Sequence, residues 1–340
     1  MHLGAFRTQI IGASLGISLL AGCASSGFDK VTASAELPKE LQEKFEVMDA
    51  SSLDPPPVPV ASSPAEPVGK GKKLGKRGKG AAAPAAAPAP VATPGIVVYP
   101  SRRPAKDPVW IGEKMIFDIT YFGMSAGDFT LEALPLKAIG SRRVYHMKGT
   151  AISSKVFNLF YRLNDTVESF IDYEGMFSHR FHIVLDETKQ SRDSLELNDS
   201  EKGQTFYWNR WNHKERGYSE SKEYSPMQPF SQDSISALYF LRTQPLKTGD
   251  VVTVPIVSEG KVWEAVVTVM RREMMETPMG KVQTIVLKPE TKYQGVLQKR
   301  GDSFLWLTDD ERRFIVRLEA KVRIGTVVAN LKKMEPGSPP

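Results

Sequence analysis

The chain has 340 residues, enough for one large domain or two ordinary ones, and a formal net charge of +6. A basic balance suggests nucleic-acid binding until the charges are located. The run KGKKLGKRGK at residues 70–79 carries five lysines, one arginine and no acid, and it accounts for the whole excess. Because the charge belongs to this run and not to a folded surface, nucleic acid is not an expected partner.

The amino terminus has the features of a bacterial lipoprotein signal. An apolar run at residues 10–20 ends in Leu20-Ala21-Gly22-Cys23 and is too short to span a membrane, which takes about 20 residues. A small-residue cleavage site followed by cysteine resembles a lipobox, the alternative being an ordinary signal peptide with a chance cysteine. Residues 1–22 are therefore expected to be removed and Cys23 to carry the lipid.

Two further expectations follow from this segment. Cys23 is the only cysteine, so neither a disulfide nor a catalytic or metal-binding thiolate is expected. Ala24 follows it, whereas an aspartate there resembles an inner-membrane retention signal. The expected location is the outer membrane, lipid-anchored and facing the periplasm.

Residues 23–108 are predicted to be a lipid anchor and a disordered linker. Pro, Ala, Lys and Gly dominate residues 51–108, and such a composition buries too little apolar surface to offset its ordering entropy. Residues 38–48 place Leu41, Phe45 and Met48 on one helical face, but so short a helix is marginal alone, and a transient turn is expected. The extended linker would hold a domain well away from its membrane.

The basic run within the linker has two interpretations. It contacts peptidoglycan, another anionic envelope polymer or lipid head groups, or it only keeps the linker solvated. The candidate contacts are Lys70, Lys72, Lys73, Lys76, Arg77 and Lys79.

Residues 109–335 are predicted to form a β-domain, followed by a disordered tail at 336–340. Apolar residues recur at period two, with Gly, Asn, Asp or Pro at the joins, which indicates antiparallel strands. An acidic hairpin turn at residues 309–311 precedes the last strands. The predicted strands are 113–121, 128–136, 143–152, 163–172, 178–187, 190–197, 204–211, 213–218, 250–258, 261–271, 280–288 and 296–308, with a meander through 304–331.

Two apolar segments interrupt this pattern. Residues 231–242 place Ile235, Leu238, Tyr239 and Arg242 on one helical face, which predicts a single helix that packs on the concave side of the sheet. Ser231 or Asp233 would cap its start, and a role of Asp233 and Arg242 as a functional pair is the less favoured alternative. The second segment, SSKVFNLF at 153–160, either completes the core or forms an exposed apolar lip, and the core is favoured.

Three stretches of the sequence resemble a bacterial family of unknown function, DUF3108, over roughly residues 111–331. The first runs from Gly112 and Glu113 to Gly127, the second is DSISALYFLR at 233–242, and the third is WLTDDERR at 306–313. The resemblance implies a β-domain, and it implies no activity because none is established for the family.

No linear motif for catalysis, metal or cofactor binding is present, so the protein is not expected to be an enzyme or to hold a cofactor. His179 and His182 resemble a metal pair, but an odd separation sends their side chains to opposite faces of a strand. The aromatic residues of 206–211 normally alternate between core and surface. The candidate ligand or partner face consists of Tyr207, Trp208, Trp211 and Tyr239.

The predicted fold class is all-β with one helix, a curved antiparallel sheet or barrel-like β-domain behind a disordered tether. The predicted function is a binding or scaffolding module of the cell envelope, whose concave sheet holds an apolar, lipid or glycan ligand or a segment of a protein partner. The alternative is an envelope enzyme whose site is assembled from scattered polar residues.

Overall fold

Antiparallel β-strands dominate this protein and join in one 16-stranded sheet, which confirms the predicted class. The structure is a computed structural model, and it describes residues 36–53, 98–293, 296–298, 302–322 and 324–339. The expectations for Cys23 and for the basic run at 70–79 lie outside these residues. Within them, no helix is long and apolar enough to cross a membrane.

The strands follow one another in the sheet almost in chain order, and β16 pairs with β2. The order is β10-β11-β12-β14-β15-β16-β2-β3-β4-β5-β6-β7-β8-β9, with β1 paired to β3 and β13 to β12. The strands are β1 Val47–Asp49, β2 Ile111–Tyr121, β3 Met124–Ile139, β4 Arg142–Ser153, β5 Asn164–Asp172, β6 Ser178–Asp186, β7 Gln190–Asp199, β8 Gln204–His213, β9 Gly217–Pro226, β10 Val251–Ser258, β11 Lys261–Thr277, β12 Gly280–Tyr293, β13 Val296–Gln298, β14 Ser303–Thr308, β15 Ile315–Lys321 and β16 Thr326–Ser338.

Side-chain alternation builds the core on the inner face of the sheet. In β2 the odd-numbered residues from Met115 to Tyr121 are buried, whereas the residues between them are partly exposed. Successive side chains of a strand point to opposite faces, so this pattern buries one face. Because the predicted strands rested on this same period, most of them agree with the structure to within a few residues.

The helix α2, Ser234–Thr243, lies on the inner face and packs into this core through Ile235, Tyr239 and Leu241. Asp233 caps it: the carboxylate accepts the backbone N–H groups of Ile235 and Ser236, at 2.8 and 2.7 Å. The backbone N–H of Asp233 donates in turn to Ser236 Oγ at 2.7 Å, which completes a capping box. The predicted packing of this helix is confirmed.

The helix begins three residues later than the sequence suggests, because its leading residues pair with a strand. The N–H of Gln232 donates to Pro255 O, and the N–H of Val257 donates to Gln232 O, at 2.9 and 2.8 Å. This parallel bridge to β10 holds the chain extended up to the cap.

The amino-terminal segment contradicts the predicted linker, because residues 36–53 are part of the fold. A second helix, α1 Lys39–Lys44, leads into β1, which pairs with the end of β3. Leu41 and Phe45 pack in a second core cluster on the outer face of the sheet, against Phe170, Leu197 and Phe206 among others. A helix this short is only marginally stable alone, and packing of its apolar face against the sheet stabilises it here. The described part of the chain therefore has two α-helices, and not one.

The carboxyl terminus also departs from prediction, since β16 runs to Ser338 and the expected tail is largely paired. Pro336 lies opposite Glu113, and Ser338 lies opposite Ile111. Gly337 has φ +71°, and a Cβ there would stand 2.5 Å from the N atom of Glu113. Only glycine tolerates both that conformation and that approach.

Two predicted strands near the turns are also corrected. The predicted strand at 213–218 is the end of β8, a turn and the start of β9, because the backbone N–H of Arg216 bonds back to His213 O. The predicted strand at 296–308 is divided between the short β13 and β14.

The sheet curls without closing, and its end strands β9 and β10 are not hydrogen-bonded to each other. Instead the β10–β11 turn reaches across the inner face. The N–H of Gly260 donates to Glu196 Oε1 on β7 at 2.8 Å, and Gly260 also approaches Tyr207 on β8. A side-chain contact therefore replaces the last strand pairing of a barrel.

Candidate functional site

The four aromatic side chains predicted as a ligand or partner face do not all lie on one face of the sheet. Tyr207 is buried on the inner face, where its hydroxyl accepts a hydrogen bond from Arg192 Nη2. Trp208 is buried on the outer face and donates to Glu220 Oε1 at 2.8 Å. Trp211 is half-buried near the end of β8, and its Nε1 donates to Gln190 Oε1 at 2.8 Å.

The fourth candidate, Tyr239, is fully buried within the α2 core, and its hydroxyl has no hydrogen-bond partner among the described residues. A hollow of about 40 Å³ lies beside α1, far below the roughly 300 Å³ at which small-molecule pockets begin. Its lining includes Leu41, Phe45, Asp199, Lys202 and Tyr224.

The histidines of β6 bind different carboxylates, as the strand period requires. His179 Nε2 lies 2.9 Å from Asp172 Oδ2, and His182 Nε2 lies 3.0 Å from Asp193 Oδ1. Burial alone would raise the pKa of Asp193, but the hydrogen bond from His182 and the nearby Arg210 guanidinium hold it below its ordinary value. In the part of the chain that the structure describes, no three His, Cys, Asp or Glu residues are grouped to hold a metal.

A buried polar cluster on the inner face fixes the β10–β11 turn. Arg192 donates to Tyr207 and, at 2.7 Å, to Glu259, while Glu196 accepts the N–H of Gly260. Burial raises the pKa of the Glu196 carboxyl to about 8, although backbone N–H groups of the turn favour its ionised form. The cluster closes the curled sheet and is covered by the turn that it holds.

A second buried cluster lies at the carboxyl end of α2. Arg242 donates two hydrogen bonds to Glu113, at 2.5 and 2.8 Å, and one to Pro108 O at 2.8 Å. Arg312, from the β14–β15 turn, donates to Glu113 Oε2 at 2.9 Å and to Pro336 O at 2.8 Å. One carboxylate therefore joins two guanidinium groups across four segments of the chain.

Arg312 lies in the β14–β15 turn, which contains the predicted acidic turn at residues 309–311. Asp310 Oδ1 accepts the N–H groups of Arg312 and Arg313, at 2.9 and 2.7 Å, and the Thr308 hydroxyl at 2.8 Å. Glu113, Arg242 and Arg312 each belong to one of the three stretches that carry the family resemblance. These three stretches, which are distant in the chain, therefore meet in one ion cluster of the fold.

The accessible feature of this protein is a set of exposed apolar side chains at one end of the sheet, here called the apolar rim. Its residues are between 52% and 81% exposed. They come from the β2–β3 turn, the end of β4 with the β4–β5 connection, and the β15–β16 turn. The members are Phe122, Met124, Ile152, Val156, Leu159, Phe160 and Ile324.

Sheet register places these three connections side by side. Tyr121 pairs with Val327, so the β2–β3 turn lies beside the β15–β16 turn, and Gly127 pairs with Ser153 on the other side. The Phe122 ring lies over Gly325, where an added Cβ would be 3.1 Å away. The rim is therefore one continuous surface and not scattered residues.

A short 3-10 helix, Phe157–Leu159, explains why the rim faces outward. Phe157 alone packs against the core, and its backbone N–H is capped by Ser154 Oγ at 3.2 Å. Val156, Leu159 and Phe160 project away, so the favoured prediction of core packing for residues 153–160 is wrong and the lip is observed. In the sequence, the rim was indicated only by an apolar run between two predicted strands that lacks the alternation of a strand.

Comparison with known proteins supplies the family. The family described as "Protein of unknown function (DUF3108)" matches this chain over residues 116–332. This chain belongs to that family. No curated protein matches the DUF3108 chain.

Solved structures give weaker likenesses. A beta-barrel-like DUF1849 protein from Brucella abortus matches with a TM-score of 0.44 at 12% identity, covering 66% of this chain and 98% of its own. A protein with a YmcC-like fold from Bacteroides fragilis matches with a TM-score of 0.30 at 10% identity, covering 66% and 96%. Both scores lie below 0.5, so neither likeness supports an argument about function.

Proposed function

We propose that this DUF3108 protein is a lipid-anchored binding or scaffolding module of the bacterial cell envelope, with the apolar rim as its working surface. The rim carries the proposal, because soluble proteins rarely leave so many large apolar side chains together in water without a partner. Two polar clusters of the inner face, in contrast, are engaged in contacts that hold the fold: Arg192 with Glu259, and Arg242 with Glu113.

The anchor is the part of the proposal that rests on sequence. The lipobox-like residues before Cys23 and the alanine after it support a diacylglyceryl anchor in the outer membrane, with the domain facing the periplasm. Cells labelled with a fatty acid should mark the protein, and Cys23→Ser should remove both the label and membrane retention. Outer-membrane fractionation that survives this substitution would overturn the anchor.

The basic run is proposed as a secondary contact to peptidoglycan or another anionic envelope polymer. Each cation near an anionic surface contributes about 1 kcal/mol, and salt screens that attraction within about 8 Å at physiological strength. Replacement of Lys70, Lys72, Lys73, Lys76, Arg77 and Lys79 by glutamine should reduce sedimentation with purified envelope at low salt. Unchanged sedimentation would leave the run as a solvating element.

An envelope enzyme remains the second candidate, and one row of polar side chains on the outer face favours it. His146 Nε2 lies 2.9 Å from Glu168, and His182 lies beside both Glu168 and Asp193. These half-buried groups offer acid–base pairs without a defined pocket. If Glu168→Gln abolishes a cellular phenotype that rim substitutions leave intact, the row and not the rim is the working site.

The rim is tested by a photo-crosslinking residue placed at Phe160 in cells, since that side chain is exposed and its replacement leaves the core untouched. The matched control carries the same residue at Ser141, in the β3–β4 turn at the opposite end of the sheet. Crosslinks from position 160 alone would support the rim as a working surface. Equal crosslinking at both positions, or none at either, would contradict it.

A further inference from the structure

We propose that the apolar rim inserts into the surface layer of a lipid bilayer, so that the protein contacts a membrane at two points. The inference rests on the proposed lipid anchor and adds a second, protein-made contact to it. Three observations support a bilayer as the occupant: the exposure of the rim, its charge and the number of residues between Cys23 and the described part of the chain.

The shape of the rim fits a fluid apolar phase better than a folded partner. Its side chains project from three adjacent connections, with Leu159 the most exposed at 81%. Amphipathic elements at a membrane interface bury apolar side chains about 5–10 Å deep between head groups and chains.

The charges around the rim match an anionic surface. In the described connections of the rim, residues 122–123 and 154–163 contain the basic residues Lys155 and Arg162 and no acidic residue. Arg162 is paired with Asp186 at 2.5 Å, whereas Lys155 is exposed on the 3-10 connection beside Val156. Basic side chains beside apolar ones are the arrangement that binds to anionic lipid head groups.

The docked amino-terminal segment limits how far the rim is from the membrane. Because α1 and β1 are fixed to the sheet, the chain between Cys23 and the first described residue, Glu36, has 36 − 23 = 13 steps. At up to about 3.5 Å per step this chain spans at most about 45 Å.

That reach is enough to bring the rim to the bilayer. α1 lies at the end of the sheet opposite the rim, where Lys44 binds Asp199 beside the β7–β8 turn. A strand such as β4, with 12 residues, is about 40 Å long, so the tether covers the distance between the two ends. Anchor and rim can therefore contact the same membrane.

The test uses the complete lipidated protein in liposomes of phosphatidylethanolamine and phosphatidylglycerol. Lipidation occupies the single native cysteine, so Leu159→Cys creates one thiol for an environment-sensitive fluorophore. The control is Ser141→Cys, labelled identically at the other end of the β3–β4 hairpin. The mass of the mature protein establishes lipidation first, which separates failure of the anchor from failure of the rim.

Brominated lipid chains should quench the label at position 159 severalfold more than the label at 141. Adding Phe160→Asp to the Leu159→Cys protein should remove most of that difference, as should replacement of phosphatidylglycerol by phosphatidylcholine. If neither label is quenched in a lipidated, co-floating protein, or both are quenched equally, the insertion is overturned. If the residue at position 160 crosslinks to a protein in cells and the label at position 159 is not quenched in liposomes, the rim binds a protein and not a bilayer.

Discussion

Arg242 and Glu113 lie 129 residues apart in the chain, yet they form a doubly hydrogen-bonded ion pair with neither side chain exposed to solvent. Burial alone would lower the pKa of the Arg242 guanidinium, but the adjacent carboxylate holds it above its ordinary value. The pair joins α2 to β2, and Arg312 adds the β14–β15 turn. Three distant parts of the chain thus share one electrostatic contact.

The first prediction concerns this pair. Glu113→Leu removes the counter-charge of the fully buried Arg242 and of the partly exposed Arg312, and it should lower the free energy of unfolding by about 3–5 kcal/mol. The combined change Glu113→Leu with Arg242→Met should cost less than the sum of its single changes, because the fully buried charge of Arg242 is then removed together with its partner. Urea unfolding of the four proteins measures this coupling, and strict additivity would contradict it.

The second prediction concerns acid stability. Burial alone would raise the pKa of Asp172, but hydrogen bonds from Arg142 and His179 lower it from 3.8 to about 2. A lowered folded-state pKa stabilises the protein above about pH 4, and this contribution disappears as the pH falls through 2. The difference corresponds to about 2 kcal/mol.

Asp172→Asn should therefore lose less stability than the native protein when the pH is lowered from 5 to 2. Thermal unfolding followed across this range gives the comparison. Parallel curves for the two proteins would show that the carboxylate is not the acid-sensitive group.

The third prediction concerns a loss of stability as the pH rises, the opposite direction from that of Asp172. Burial raises the pKa of Glu196 from 4.5 to about 8, so the folded protein holds a proton that the unfolded chain releases. Stability from this group should be complete below about pH 4.5 and should decline as the pH rises to 8. Glu196→Gln should flatten that decline in urea unfolding, while Glu43→Gln, on the exposed side of α1, should leave it unchanged.

The fourth prediction tests the docked amino-terminal segment. Phe45 is only 2% exposed in the outer-face cluster, and Phe45→Ala should destabilise the protein by about 3–5 kcal/mol. Glu43→Ala, two residues away on the exposed face of α1, should change stability by less than about 0.5 kcal/mol. Limited proteolysis should then cut within residues 36–53 in the Phe45 variant alone. Equal effects of both substitutions would mean that the segment is not docked.

The sequence was informative where structure is local. The alternation in β2 and the cap at Asp233 depend on residues within a few positions of one another, and both were predicted. The docking of Phe45 was not, since its apolar partners Leu197 and Phe206 come from strands more than 150 positions later. The local sequence of a short helix does not show whether the helix packs against the rest of the fold.

The apolar rim was the less favoured alternative, and the ion cluster was not predicted, for a related reason. An apolar run such as 153–160 gives no local sign of whether the sheet covers it, and core packing is the commoner outcome. Arg242 was placed on the packed face of its helix, but its pairing with Glu113 was not predicted, because only the folded topology brings strand, helix and turn together.

Residues 36–53 and the chain from residue 100 onward belong to the same compact unit, although 46 intervening residues, 54–99, are assigned to another. The Pro- and Lys-rich segment that begins after Leu53 therefore connects two parts of one compact unit. A protease that cuts the segment at its lysines divides the chain into two pieces without separating them, because β1 stays paired with β3 and Phe45 stays in its cluster. A domain carried by a lipid at Cys23 would thus resist shedding from its membrane even after it has been nicked.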